Sequence, residues 1–212
     1  MRFARKNDGL LMCAVVWRVA VVAALLVAAG LALAGRAHAA GGPPALAYIA
    51  NQSAGRISVI DTSTNTVTGT IAVGRGPSEM AVTPDGATVY VANAGGNTVS
   101  VISTATGTVT ATIPVGSRPS YVAVTPDGAT VYVTNEFDGT VSVISTATNT
   151  VTATVSIPGF SGPAGVAVSP DGATVYVADL FENTVSVIST ATNTVTGTIG
   201  VGSGPFGVAF SP

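Results

Sequence analysis

The sequence predicts an all-β domain built from four repeats of about 42 residues. A nine-residue segment, Thr-Pro-Asp-Gly-Ala-Thr-Val-Tyr-Val at 83–91, recurs unchanged at 125–133 and with one change at 169–177. A second segment, Thr-Val-Ser-Val-Ile-Ser-Thr-Ala-Thr, begins at Thr98, Thr140 and Thr184. Both segments are rich in residues that favour strands because they fit a pleated, half-buried surface.

The N-terminal 39 residues differ from the rest of the chain. Arg2, Arg5 and Lys6 precede an apolar stretch that ends at Ala37-His38-Ala39. This pattern predicts a helical signal peptide at 1–39, cleaved after Ala39, and hence a secreted or periplasmic, cell-envelope protein. An uncleaved anchor is the alternative, because 10–34 is nearly long enough to span a bilayer. We expect a linker at 40–46 and the repeat domain at 47–212.

The chemistry available after residue 39 is narrow. Cys13 and His38 precede the predicted cleavage site, and the remaining chain has three arginines, nine acids and no lysine. A basic nucleic-acid footprint is therefore absent, and we expect no nucleic-acid partner. The missing His, Cys and Lys remove the commonest general base and the thiol nucleophiles. The sequence accordingly predicts no enzyme, no cofactor and no metal site.

Each repeat reads as four short strands. The strands of the second repeat are predicted at 78–83, 88–93, 98–102 and 108–115. Pro84-Asp85-Gly86 separates the first two with tight-turn chemistry, since proline fixes φ, Asp bonds the backbone ahead and Gly supplies positive φ. Asp127 and Asp171 occupy the same turn, so we expect all three carboxylates to cap turns rather than to catalyse. The period is marked by tyrosines 42, 42 and 44 residues apart: Tyr48, Tyr90, Tyr132 and Tyr176.

Four-stranded repeats of this length predict the antiparallel blades of a β-propeller. The chain begins at a second-type strand (47–51) and ends at a first-type strand (207–211), which totals sixteen strands. The last strand could complete the first blade and close a four-bladed ring. The alternative is an open arc, whose exposed blade faces and edges would pair with another copy.

The repeats resemble the YVTN family of β-propeller repeats. The resemblance rests on Val-Tyr-Val-Thr-Asn at 131–135, Val-Tyr-Val-Ala-Asn at 89–93 and Ser-Pro-Asp-Gly at 169–172, and it covers essentially all of 48–212. It implies a propeller found on a cell surface or outside the cytoplasm. Family members often have seven blades, so the count here leaves ring closure in question.

Sequence variation between the repeats gathers in two sets of connections. In a propeller, the loops between the second and third strands lie on the same face as the links between blades, and this face is the expected binding face. The alternative is that these are merely tolerant surface loops. The candidate residues are Arg75, Arg118, Tyr121, Glu136, Phe137, Asp138, Phe160, Leu180, Phe181, Glu182 and Phe206.

Two phenylalanines in these loops suggest the task of the face. Phe137 and Phe181 each lie next to an acid at a loop tip, where packing gives little reason for an aromatic ring, and exposed aromatics often anchor partners. We expect a non-catalytic module that docks an unknown protein or glycan at the cell envelope. The alternatives are a self-associating structural envelope protein, a homo-oligomer if the ring is open, or a lactonase-like or quinoprotein-like propeller.

Overall fold

The computed structural model describes residues 45–159 and 162–211. It contains fifteen antiparallel strands and one short 3-10 helix, Gln52–Ala54. Blade 1 has β1 (Leu46–Asn51), β2 (Arg56–Asp61) and β3 (Thr66–Ala72). Blade 2 has β4 (Pro77–Val82), β5 (Thr88–Asn93), β6 (Thr98–Ser103) and β7 (Thr108–Pro114). Blade 3 has β8 (Pro119–Val124), β9 (Thr130–Asn135), β10 (Thr140–Ser145) and β11 (Thr150–Ser156). Blade 4 has β12 (Pro163–Val168), β13 (Thr174–Asp179), β14 (Thr184–Ser189) and β15 (Thr194–Gly200).

Each blade is an antiparallel meander in sequence order. The predicted all-β propeller of repeated antiparallel blades is confirmed, and the predicted signal helix lies outside the described residues. Within the described part of the chain, no helix is long and apolar enough to cross a bilayer.

The core lies between the blades rather than inside any one of them. Tyr90 and Val101 of blade 2 pack against Val133 and Ile144 of blade 3, and the same arrangement repeats between blades 1 and 2 and between blades 3 and 4. A tyrosine hydroxyl also links neighbouring blades: Tyr132 Oη of blade 3 donates to Asn193 Oδ1 of blade 4 at 3.0 Å. Each blade is therefore stabilised chiefly by its neighbours, as in other repeat architectures.

The predicted sixteenth strand is not formed. Residues 207–211 pair with no strand, and blade 1 has three strands instead of four. The segment lies against blade 4, because Gly165 N donates to Phe206 O at 2.9 Å and the Phe210 ring meets Tyr176 edge-on at 5.2 Å. These contacts place the segment beside blade 4, away from β1. The described residues therefore do not form the predicted closed four-bladed ring. The fold is an open arc.

Candidate functional site

The variable face is a surface in which the last three loops are each hydrogen-bonded to the connection before them. We use this name for the loops 52–55, 94–97, 136–139 and 180–183 with the links 73–76, 115–118, 157–159 and 201–204. Gly95 N donates to Arg75 O at 3.0 Å, and Glu136 N donates to Arg118 O at 3.1 Å. Because neighbouring loops and links share backbone hydrogen bonds, the side chains they carry are positioned by the blades beneath.

Four of the candidate residues form one cluster at blade 3. Arg118 Nε lies 3.0 Å from Glu136 Oε2, and the Arg118 guanidinium carbon lies 4.8 Å from the centroid of the Phe137 ring. Asp138 Oδ2 accepts a hydrogen bond from Ser117 N at 2.6 Å. Phe137 therefore has a cationic partner, since the Arg118 guanidinium lies over one face of its ring. The ring is nevertheless 65% exposed.

The corresponding loop of blade 4 presents a second exposed phenylalanine. Leu180 N donates to Gly162 O at 3.3 Å, and Phe181 lies so close to Gly162 that any Cβ there would collide with its ring. Glu182 lies beside Gly159 in the same way. Phe160, which was also predicted to belong to this face, lies outside the described residues.

Arg75 lies at the blade 1 end of the variable face. Its side chain is exposed. Together with Gln52 and Gly95 it lines a shallow cavity of about 380 Å³ between the first two blades. The variable face therefore carries positive charge at Arg75 and at Arg118, with exposed rings at blades 3 and 4.

A second cluster lies on the inner strands rather than on the loops. Tyr121, predicted as part of a link, belongs to β8, and its ring meets Phe206 edge-on at 5.5 Å. Glu79 of β4 is partly buried, and this burial raises the pKa of its carboxyl above the usual range. Burial and the nearby Glu79 charge both raise the pKa of the Tyr121 hydroxyl. The Glu79 carboxylate is therefore near enough for its charge to affect the pKa of the Tyr121 hydroxyl.

Sequence reasoning did not select Glu79 as a site residue, and the available signal was weak. Its position holds Tyr121 in blade 3 and Gly165 in blade 4, so no repeated chemistry marks it. The inner strands lie closer together than the outer strands do, which brings this position in blade 2 near its counterpart in blade 3. Only the curvature of the arc makes that proximity visible.

The turn carboxylates have the structural role predicted for them. Asp85 Oδ1 accepts hydrogen bonds from Thr83 Oγ1 and from Ala87 N, and Asp127 and Asp171 repeat this pattern. The hydroxyl bond, followed by the backbone bond, keeps the pKa of Asp85 below its usual range. Gly86, at φ 72°, completes the turn in the left-handed region that favours glycine. These acids cap turns on the face opposite the variable face.

A buried carboxylate in blade 4 was not predicted. Asp179 is almost fully buried, and its Oδ2 accepts hydrogen bonds from Thr184 Oγ1 and Ser186 Oγ. In blade 3 the same position is Asn135, whose amide donates to Thr140 Oγ1 and Ser142 Oγ. Desolvation raises the pKa of Asp179 despite its hydroxyl partners. Among the described residues, no group of three or more His, Cys, Asp or Glu could hold a metal ion.

The fold is an antiparallel β-propeller arc. Its two candidate sites are the variable face, which is built from loops and links, and the Glu79 carboxyl on an inner strand. The chain belongs to the lactonase family of seven-bladed β-propellers: the model described as "Lactonase, 7-bladed beta-propeller" matches residues 45–150 and again 104–199. The finer resemblance to YVTN repeats stays a prediction.

Similar proteins include enzymes. Hydrazine synthase of Kuenenia stuttgartiensis is 33% identical, with a TM-score of 0.69 over 73% of this chain and 45% of that one. A functionally unknown protein from Desulfotomaculum acetoxidans DSM 771 is 18% identical, with a TM-score of 0.70 over 77% of this chain and 55% of that one. An inactive virginiamycin B lyase from Staphylococcus aureus, with quinupristin, is 17% identical, with a TM-score of 0.65 over 76% and 54%. The last two likenesses show the fold alone.

A short match links one repeat to a mycobacterial protein. The PE-PGRS family protein PE_PGRS18 of Mycobacterium tuberculosis strain H37Rv is 57% identical over 37 residues, which is 18% of this chain and 8% of that protein. The chain thus spans about half the length of the solved structures above and a small part of this relative.

Family membership overturns the prediction that the chain is not an enzyme. That prediction rested on the absence of His, Cys and Lys after residue 39. Carboxylates and tyrosines also perform acid–base chemistry, so the absence of His, Cys and Lys does not exclude catalysis. Membership in a lactonase family leaves the prediction of no enzyme without support.

Proposed function

We propose that the protein is exported and that its variable face binds a protein or glycan of the cell envelope. The observation that carries this proposal is the ring of Phe137, held by Arg118 at 4.8 Å yet 65% exposed. A side chain already fixed in position loses little conformational freedom on binding, so its contact area contributes more fully to affinity. Phe181 offers a second exposed ring one blade away.

Paired substitutions on the variable face test this proposal. Immobilised purified protein is offered the polysaccharide fraction and the protein fraction of the source organism's cell envelope in separate binding assays. We expect Phe137→Ala with Phe181→Ala to weaken binding at least tenfold, because truncating exposed aromatic anchors costs about 2 kcal/mol or more at many interfaces.

A control substitution removes exposed apolar surface on another face. Val82 is an exposed apolar side chain at the end of β4 that leads into the opposite, turn-bearing face. Val82→Ala should leave binding unchanged, and circular dichroism should show that every variant keeps its strand content. Undiminished binding by the double variant would assign any captured partner to another surface.

A second function, hydrolysis of a lactone, is favoured by the family to which the chain belongs. A carboxyl whose pKa is raised by burial is a stronger base than a free carboxylate, which favours accepting a proton from water. Glu79 would activate the water that attacks the lactone carbonyl, with Tyr121 as the neighbouring hydroxyl donor. The ring C–O bond breaks, one water is consumed, and a hydroxycarboxylate and a proton are released.

Proton release from simple lactones measures this activity. Glu79→Gln should abolish catalysis, and Tyr121→Phe should reduce it. The variant that combines Phe137→Ala with Phe181→Ala should retain it. Equal rates for the wild type and Glu79→Gln would exclude Glu79 as the base. Since the two assays use different residues, each function can fail without the other.

A further inference from the structure

Among residues 45–159 and 162–211, no segment covers the face of blade 1 that points away from blade 2, and this face is apolar. Ile49 of β1 is 43% exposed, whereas the residues at its position in blades 2, 3 and 4 are fully buried. Those residues are Val91, Val133 and Val177. Val67 of β3 is 61% exposed, although its counterpart Val109 packs against the preceding blade. Blade 1 thus presents a surface that the repeat builds for contact with a preceding blade.

The opposite face of blade 4 is also largely exposed, although residues 205–211 lie against its inner strands. Ile199 of β15 is 45% exposed, while Ile113 at the same position in blade 2 is buried against blade 3. Tyr176 is partly exposed, whereas Tyr90 and Tyr132 are buried against the following blade. Blade 4 presents the surface that the repeat builds for contact with a following blade.

These two uncovered faces are of complementary kinds. At each interface within the arc, the tyrosine-bearing face of one blade packs on the valine- and isoleucine-bearing face of the next. Tyr132 Oη also reaches across to Asn193 in the turn between the last two strands of blade 4. Blade 1 has Asn65 in the corresponding turn, where it can accept from Tyr176 of a preceding blade.

The strand edges match in the same way. β1 pairs with β2 on one edge only, and in the other blades the equivalent strand pairs with an inner strand that begins with proline. Residues 205–211 read Pro-Phe-Gly-Val-Ala-Phe-Ser, the pattern of β4 and β8. They already lie on blade 4 where the inner strand of a following blade belongs, through Gly165 N and the Tyr176 ring.

We propose that a second copy of this chain covers both ends: blade 4 of each copy docks on blade 1 of the other, and residues 205–211 pair with the partner's β1. The β4–β5 register predicts the pairs, with Val208 opposite Ile49 and Ala209 opposite Tyr48. Four blades at the spacing of a seven-bladed ring span little more than half a turn, so the ends of one copy stay apart. Two such head-to-tail contacts close an eight-bladed ring, which is within the known range.

A disulfide cross-link tests the predicted register in the full chain. Ile49→Cys with Val208→Cys should form a covalent dimer on oxidation that disappears on reduction. Ile49→Cys with Ala209→Cys is the matched control, because a one-residue shift turns the second side chain to the other face of the strand. Each single-cysteine variant controls for Cys13, which all of them share. A covalent bond confined to one chain would show intramolecular closure, and either that result or no specific cross-link overturns the proposal.

Mass in solution provides an independent test of the docked faces. Light scattering of the wild type should give twice the chain mass, and Val67→Asp should give the single chain mass at the same concentration. Thr112→Asp, an exposed change on β7 in the middle of the arc, should leave the dimer intact. A wild type that is monomeric at every concentration, or a Val67→Asp variant that remains dimeric, overturns the proposal. Neither test depends on the variable face or on Glu79.

Discussion

At the residue scale, the ends of the second strands show how one atom changes the electrostatics of a repeated position. Asn93 and Asn135 bury an amide between a threonine and a serine hydroxyl, and Asp179 places a carboxylate there instead. A buried carboxylate disfavours its charged form, so the pKa of Asp179 lies above its ordinary 3.8. The folded state therefore binds a proton at Asp179 more readily than the unfolded state does.

The first prediction concerns Asp179→Asn. Because the folded pKa of Asp179 is raised, the contribution of Asp179 to stability is fully present below pH 3.8 and declines as pH rises from there through the folded value. The asparagine variant lacks this decline and should melt about 2–4 °C higher at pH 7, the shift that about 1 kcal/mol gives in a domain of this size. Thermal melts from pH 3 to pH 8 measure it.

The reverse change is the matched control for Asp179. Asn135→Asp introduces a carboxylate at the equivalent buried position of blade 3. It should lower the melting temperature at pH 7 and lose this penalty in acid. Equal pH profiles for the wild type and Asp179→Asn would contradict the prediction, because they would show that ionisation of Asp179 does not affect folding stability.

The second prediction concerns the tyrosine bridges between blades. Tyr132→Phe removes the 3.0 Å hydrogen bond to Asn193 and keeps the ring in the core. It should reduce the free energy of unfolding by about 1 kcal/mol. Tyr48→Phe is the control, since blade 2 has Gly107 where an acceptor would stand, and its effect should be near zero. Urea unfolding compares them, and equal losses would exclude the bridge as the cause.

At the scale of the elements, the segment 205–211 depends on close backbone approach to β12. Gly165 N donates to Phe206 O, and a Cβ at Gly165 would collide with that same oxygen. A side chain at position 165 is therefore excluded, because the backbone of Phe206 lies directly over it. This contact determines which end of the arc the segment joins.

The third prediction follows from that contact. Gly165→Ala should displace residues 205–211 from β12, so that the residue 165 amide exchanges its hydrogen about fivefold faster or more, the change that about 1 kcal/mol produces. Gly197→Ala adds the same methyl group in β15, where nothing lies within 4 Å, and should leave exchange unchanged. Hydrogen exchange resolved by residue measures both. Full protection in Gly165→Ala would show that the segment does not need this approach.

At the scale of the whole molecule, packing between blades outweighs electrostatics. Three apolar clusters join the four blades, and the chain after residue 39 has three arginines and no lysine. The Arg118–Glu136 pair is exposed at its arginine end, 41% by side chain, and exposed ion pairs contribute little because water and salt screen them.

The fourth prediction is that salt affects folding stability only slightly. Raising NaCl from 0.05 to 0.5 M should change the free energy of unfolding by less than about 1 kcal/mol, the usual upper value for an exposed pair. Arg118→Ala should be similarly mild, whereas Ile144→Val, in the interface between blades 2 and 3, should cost about 0.5–1.5 kcal/mol. A steep salt dependence would place more of the stability in charge pairs.

The sequence alone determined the four blades, their turns and all of their strands except the predicted sixteenth, which does not form. These features depend on local patterns that recur in every repeat: alternating β-formers, and Pro-Asp-Gly with its aspartate bonded two residues ahead. The variable loops could likewise be located, because their departure from the repeat is visible in the residues themselves. The partner of Phe137 could not, since Arg118 belongs to a different connection.

Only the tertiary structure decided how the blades are placed relative to one another. The approach of Glu79 to Tyr121, the ring contact of Tyr121 with Phe206 and the position of residues 205–211 all depend on the curvature of the arc. Every repeat encodes the same interface between neighbouring blades, so the sequence is consistent with a closed ring and with an open arc. The angle between blades arises from packing over the whole interface, and no single residue encodes it.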